Sequence, residues 1–63
     1  MAYEVEDVEV ITETDGAILI TSDDTGEVWV PKSQIEEESE VSEAGDEGPL
    51  VVTDGFARKQ GWI

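Results

Sequence analysis

The sequence predicts a mainly β domain, a small antiparallel SH3-like barrel or half-barrel of about four strands with a short C-terminal helix. Three observations lead to this prediction. Valine and isoleucine alternate with acidic residues near the N-terminus, turn-forming residues separate short apolar runs, and helix-capping residues occur together only near the C-terminus. Because 63 residues form one domain with little room for a core, a strongly twisted barrel is economical. The alternative is an open three- to four-stranded sheet with the helix on one face.

The first strand is predicted in residues 4–13, where the period of two is clear. This period places Val8, Val10 and Thr12 on one face of the strand, and Glu9 and Glu13 on the other face. Val5 is out of phase with Val8, which predicts a bulge or a strand start near residues 6–7. A tight turn is expected at Asp15-Gly16.

Residues 17–21 are apolar or β-branched on both faces, as in a central strand that is covered on two sides. Turn formers at 22–26 separate them from residues 27–30, so the two runs predict a β-hairpin. If the turn centres near Asp24, the hairpin pairs Ile18 with Val30 and Ile20 with Val28. Pro31 cannot donate to a ladder and should end the strand, and a 3₁₀ turn over 32–34 would return Ile35 to the core.

The segment 36–48 is predicted to be a solvated acidic loop, because like charges repel and only Val41 and Ala44 are apolar within it. Pro49 then introduces a short edge strand at 50–53. A terminal helix follows, with Thr53 or Asp54 as its N-cap and Gly61 as its left-handed C-terminal residue. Such a cap would fold Trp62 back onto Phe56 or Ala57.

Composition excludes several classes of function. The sequence contains no cysteine and no histidine, so zinc, haem and iron–sulfur chemistry are excluded and we expect no cofactor. No Ser-His or Cys-His pair can form, and we expect no enzymatic activity. With 17 acidic and 3 basic residues the net charge is −14, which should repel nucleic acid and anionic membranes. Without an export signal or an apolar span, the chain is expected in the cytoplasm.

Residues 28–35, Val-Trp-Val-Pro-Lys-Ser-Gln-Ile, and residues 56–62, Phe-Ala-Arg-Lys-Gln-Gly-Trp, carry a resemblance to a known group. The chain resembles short uncharacterised phage and bacterial proteins with the pattern W-I-P-K-S-Q-I followed by W-x-A-x-x-K-G-L. Val30, Phe56 and Gln60 depart from that pattern but preserve apolar or helical character. The resemblance implies a phage-type accessory protein in the cytoplasm of a host cell, and it implies no catalytic residues.

Candidate partner-binding residues lie around this octapeptide, and we predict the following set: Trp29, Lys32, Glu36, Glu37, Glu38 and Glu40. Lys32 either anchors an acidic partner or forms an ion pair with Glu27 or Glu36. Trp29 is either a partner anchor or a side chain that Trp62 covers, and we expect covering.

The segment 23–27, Asp-Asp-Thr-Gly-Glu, offers oxygen ligands that could hold calcium or magnesium. Its spacing does not match an EF-hand loop. We therefore expect a hairpin turn stabilised by Asx hydrogen bonds, and no metal site.

The acidic surface itself allows three interpretations. It imitates a phosphate backbone and binds a basic protein, such as a nucleic-acid-handling enzyme; or it provides solubility or adaptation to high salt; or it forms only a tether or an assembly contact. We expect a small acidic phage-type accessory protein that binds a basic protein partner, as a nucleic-acid mimic or inhibitor. The alternative is a structural or high-salt-adapted domain with no such partner.

Overall fold

The four strands form an antiparallel half-barrel, followed by one short helix. The structure is a computed structural model that describes residues 2–63. In chain order its elements are β1 (Ala2–Glu13), β2 (Ala17–Thr21), β3 (Val28–Pro31), a 3₁₀ turn (Lys32–Gln34), β4 (Glu47–Thr53) and α1 (Asp54–Gln60). The sheet order is β3-β2-β1-β4. The predicted mainly β half-barrel with a C-terminal helix is therefore confirmed.

β1 is the longest strand, and two irregularities bend it around the core. The register against β4 shifts between Val5 and Val8, where Asp7 has a φ of 56°, so the bulge predicted near residues 6–7 is confirmed. A second shift, between Val10 and Thr12, was not predicted. One extra residue exchanges the two faces of a strand, so Thr12 is exposed while Val10 is buried. The prediction that Thr12 shares a face with Val10 is wrong.

β2 and β3 form the predicted hairpin, with Ile18 opposite Val30 and Ile20 opposite Val28. These four side chains point inward, and three of them are completely buried. The turn between the strands depends on hydroxyl groups rather than on the aspartates. The Ser22 and Thr25 hydroxyls lie 2.7 Å apart, and the Thr25 amide donates to the Ser22 hydroxyl. The predicted Asx hydrogen bonds are therefore wrong, since serine and threonine take that role.

The chain closes the half-barrel after β3. Pro31 ends the strand as predicted, and the 3₁₀ turn places Ile35 in a single antiparallel bridge with Val52 of β4. The Glu36 amide donates to the Val51 carbonyl at 2.8 Å and the Glu40 amide to Pro49 at 3.2 Å. This return segment covers part of the free edge of β4, which removes a site for aggregation.

The acidic segment forms a loop, as predicted, but β4 begins at Glu47, one residue before the predicted end of that loop. The loop is anchored, because Val41 is completely buried. Asp46 accepts hydrogen bonds at 3.0 Å from the amides of Ser42 and Glu43, which closes a turn. These amides hold the pKa of the Asp46 carboxyl below its ordinary value.

α1 begins and ends as its capping residues predict. The Thr53 hydroxyl accepts a hydrogen bond from the Phe56 amide at 3.2 Å, and Gly61 adopts a left-handed conformation with a φ of 81°. Trp62 then packs edge-on against Phe56, with ring centroids 5.6 Å apart. Among the described residues, the α-helix α1 has 7 residues, and no helix reaches the length and apolar character of a membrane span.

The core lies between the concave face of the sheet and α1. Its buried members are almost all aliphatic, and they come from every strand, the acidic loop and the helix: Val5, Val8, Val10, Ile18, Ile20, Val30, Val41, Leu50, Val52, Phe56 and Ala57. Because aliphatic side chains occupy the small interior, every charged group in residues 2–63 lies at least partly at the surface.

Candidate partner-binding surface

The carboxylates form a surface that is almost unneutralised. No charged or polar residue is buried in the described chain, so all 17 acidic residues reach solvent to some extent. Within residues 2–63 one ion pair forms, between Lys32 and Glu13. The surface is compact, with principal extents of 25 × 23 × 18 Å. A large negative field therefore surrounds a small body.

Lys32 forms an ion pair with Glu13, with 2.6 Å between Nζ and the carboxylate. The predicted ion pair of Lys32 with Glu27 or Glu36 is therefore wrong. The Lys32 amide donates to the Gly16 carbonyl at 2.9 Å, and this hydrogen bond places the lysine beside the turn that follows β1. The hydrogen bond from Lys32, followed by one from the Ala44 amide, lowers the pKa of Glu13 below its ordinary value.

The predicted glutamates are only partly brought together. Glu36 and Glu37 line a cleft of ≈ 370 Å³ with Lys32, and Glu13 and Glu43 complete its acidic wall. Glu38 and Glu40 are exposed but lie outside this cleft. No local sequence pattern indicates that Glu13 takes part in this cleft, because only the long-range pairing of β1 brings Glu13 close to Lys32.

Trp29 lies apart from this cleft and is exposed. Its side chain is on the convex face of β3, opposite in direction to the buried Val30, and 51% of its surface is accessible. The prediction that Trp62 covers it is wrong. α1 packs against β4 and β1, so Trp62 reaches Tyr3 at 6.2 Å and Phe56, not the edge strand β3. Trp29 is therefore free to contact a partner.

Trp29 borders a groove of ≈ 560 Å³ between β3 and α1, and no acidic residue lines this groove. One wall is formed by Trp29 and Pro31, and the other by Phe56, Lys59 and Gln60. This groove differs in that respect from the cleft beside Lys32, which four carboxylates line. Local sequence patterns did not reveal it, because it depends on the position of α1 beside an edge strand.

A further cleft of ≈ 520 Å³ combines Tyr3 and Trp62 with the carboxylates Glu4, Glu6 and Asp24. At this cleft, the turn after β2 lies near the C-terminus of α1. In the segment 23–27, as elsewhere in residues 2–63, no three acidic residues form a group that could hold a metal ion.

Comparison with known proteins identifies a family. A family model described as "S1 domain" matches residues 4–47. The match covers almost all of β1, the β2–β3 hairpin and the acidic loop, and it ends where β4 begins. No curated protein and no solved structure matches the chain significantly.

Proposed function

The chain belongs to the S1 domain family, and from that premise and its surface charge we propose that it is a non-enzymatic accessory protein that binds a basic protein partner. The S1 domain is a nucleic-acid-binding fold of the barrel type. In this chain, the scaffold itself carries a charge like that of a nucleic acid. The proposed partner is a nucleic-acid-handling protein whose basic groove the acidic surface occupies as a mimic.

Charge per unit length is the observation that carries this proposal. The net charge is −14, and the longest dimension of the chain is 25 Å. Duplex DNA carries one phosphate charge per ~1.7 Å of its axis, so a 25 Å length carries about 15 charges. The chain therefore offers a basic groove nearly the same charge over the same distance as a short duplex.

The state of the carboxylates supports the same proposal. Their charge is available to a partner, because Glu13 alone among them is paired with a cation in residues 2–63. The sequence resemblance to short phage and bacterial proteins supports a phage-type role, with the partner in the cytoplasm of a host cell. A field of this strength accelerates association with a cationic surface and weakens as salt is added.

A binding experiment with competition tests the proposal. The full chain is immobilised and exposed to host lysate at low salt, and the retained proteins are challenged with duplex DNA or with rising sodium chloride. We expect basic DNA- or RNA-handling proteins to be retained and both challenges to release them. If no basic protein is retained at low salt, mimicry is refuted, and the structural or high-salt-adapted domain becomes the better interpretation.

Two variants with the same net charge distinguish binding through the predicted glutamates from attraction that depends only on the total charge of the chain. The test variant replaces the four predicted glutamates with glutamine at Glu36, Glu37, Glu38 and Glu40. The control neutralises four exposed acids outside that set, of which Glu4, Glu6 and Asp24 line the cleft at Tyr3 and Trp62, as Glu4→Gln, Glu6→Gln, Asp23→Asn and Asp24→Asn. We expect the purified partner to lose more affinity for the test variant. Equal losses would show that only total charge matters and would remove these glutamates from the site.

The family fold favours a second candidate, the direct binding of a single nucleic acid strand at Trp29. The specific observation is that Trp29 is 51% exposed on the convex face of β3, where aromatic side chains of oligonucleotide-binding barrels stack with bases. The net charge opposes this candidate, because phosphate binding requires cations. Titration with a ten-nucleotide oligo(dT) at low salt, monitored by tryptophan fluorescence in wild type and Trp29→Phe, distinguishes it from protein binding.

A further inference from the structure

The open edge of β3 presents one free pair of backbone hydrogen-bonding groups. β3 is an edge strand and, within residues 2–63, pairs only with β2. In an antiparallel pair, the backbone groups of every second residue point toward the neighbouring strand. The Lys32 amide donates to the Gly16 carbonyl, so Lys32 is one of the residues that point toward β2. Val30 and Val28, two and four positions before it, therefore also direct their N–H and C=O groups to β2. By the same alternation, the N–H and C=O of Trp29 point away from the sheet. The groove between β3 and α1 lies on that side of β3, because residues of β3 and α1 line it and none of β2 does.

The groove beside this edge is suited to a ligand other than a cation. No acidic residue lines it, whereas Lys59 and the amide side chains of Gln34 and Gln60 do. Lys59 lies within 4 Å of no carboxylate in residues 2–63, in contrast to Lys32. Trp29 and Pro31, both exposed, provide apolar surface in the same groove, whereas Phe56 is buried and reaches it with only 6% of its surface.

We propose that the β3 edge at Trp29 and this groove form a docking site for an extended peptide segment of a protein, a segment that carries an apolar side chain and a carboxylate. The backbone of the segment would pair with Trp29 as an added strand, and its apolar side chain would contact Trp29 and Pro31. Its carboxylate would bind Lys59. This site is distinct from the acidic surface and does not depend on a basic partner.

Pro31 limits the length of this pairing. It has no N–H to donate on the open edge, and proline on an edge strand prevents long strand-to-strand association. The segment would therefore form one hydrogen-bonded pair, with Trp29, and would draw its selectivity from the groove. A second copy of this chain is a poor occupant, because two bodies each carrying a charge of −14 repel one another.

The test pans a displayed library of random seven-residue peptides against the full chain and three variants. We expect wild type to enrich peptides with an apolar residue and an aspartate or glutamate. Lys59→Glu should instead enrich peptides with lysine or arginine at the acidic position. Arg58→Glu is the matched control, since it makes the same charge change in the same helical turn outside the groove, and it should enrich the same peptides as wild type. Trp29→Ala should enrich neither class.

A backbone readout follows from the best enriched peptide. Methylating its backbone nitrogens one at a time should weaken binding by about tenfold at a single position, the one that donates to Trp29. Binding should also slow hydrogen exchange at the Trp29 amide. Melting curves of Trp29→Ala and Lys59→Glu establish that both variants are folded.

Three outcomes would overturn the proposal. Wild type could enrich no peptide class, or it could enrich basic peptides that Lys59→Glu enriches equally, which would place binding on the acidic surface. Alternatively, a ten-nucleotide oligo(dT) could shift the amide resonances of Trp29 and Lys59 while no peptide binds, which would assign the groove to a single nucleic acid strand. The mimicry proposal is judged separately, by retention of a basic protein and its release by duplex DNA.

Discussion

The burial of Val41 makes a quantitative prediction about the acidic loop. Its side chain is completely buried although the residues around it are solvated and mostly acidic. Val41→Ala removes two methyl groups, at a transfer cost of about 0.8 kcal/mol each, and leaves a cavity, so we expect a loss of about 1.6 to 3 kcal/mol. A 63-residue domain has a total stability of only about 3 to 9 kcal/mol. The substitution should therefore remove a large fraction of it.

Thermal and urea denaturation measure this loss. In a domain of this size, the melting temperature should fall by at least about 6 °C. NMR relaxation should also show that residues 36–46 move faster on the nanosecond timescale, because their anchor is weakened. Both experiments are done in molar sodium chloride, so that repulsion among the acidic residues is screened and does not add to the effect.

Ala44→Ser is the matched control, because Ala44 is an exposed small residue in the same loop. We expect it to change the free energy of unfolding by less than about 0.5 kcal/mol. If Val41→Ala has an effect equally small, the loop is not anchored to the core. Its glutamates would then belong to a free tether, and the argument that they form a defined surface would fail.

Three further predictions concern charge and capping. The melting temperature should rise from low to molar sodium chloride, because screening relieves repulsion among unpaired acidic residues, and a flat profile would contradict this. The lowered pKa of Asp46 stabilises the fold above its ordinary value of 3.8, and that contribution is lost as pH falls through the folded-state pKa. Asp46→Asn should therefore destabilise the fold at neutral pH in molar salt and differ less from wild type in urea titrations at progressively lower pH; a pH-independent difference would refute the argument. Gly61→Ala should lower the free energy of unfolding by about 1 kcal/mol, because Gly61 has a φ of 81°. Gly55→Ala should raise it by about 0.4 to 1 kcal/mol, because an added Cβ meets open space in the helix. Calorimetry that shows the reverse order would contradict the capping geometry.

Much of the candidate surface could not be predicted from the sequence. Lys32 and Glu13 are 19 positions apart, and they meet only because the end of β3 pairs with the turn after β1. The contacts of Trp62 depend in the same way on α1 packing against β4 and β1, which leaves Trp29 exposed. Local patterns contain no information about which of several acids or aromatic residues lies nearest in space.

The sequence by itself determined the hairpin, its pairing of Ile18 with Val30, the end of β3 at Pro31 and the caps of α1. These features depend on neighbouring residues, through side-chain alternation, the missing amide of proline and the hydroxyl of Thr53. It also determined the net charge, which is independent of folding.

The tertiary structure alone decided the second bulge of β1, the burial of Val41 and the groove without acidic residues beside Trp29. Each depends on segments that are distant in the sequence and become neighbours only when the half-barrel closes around its aliphatic core. The amount of charge was thus a property of the chain, whereas the division of its surface into an acidic field and one acid-free groove is a property of the fold.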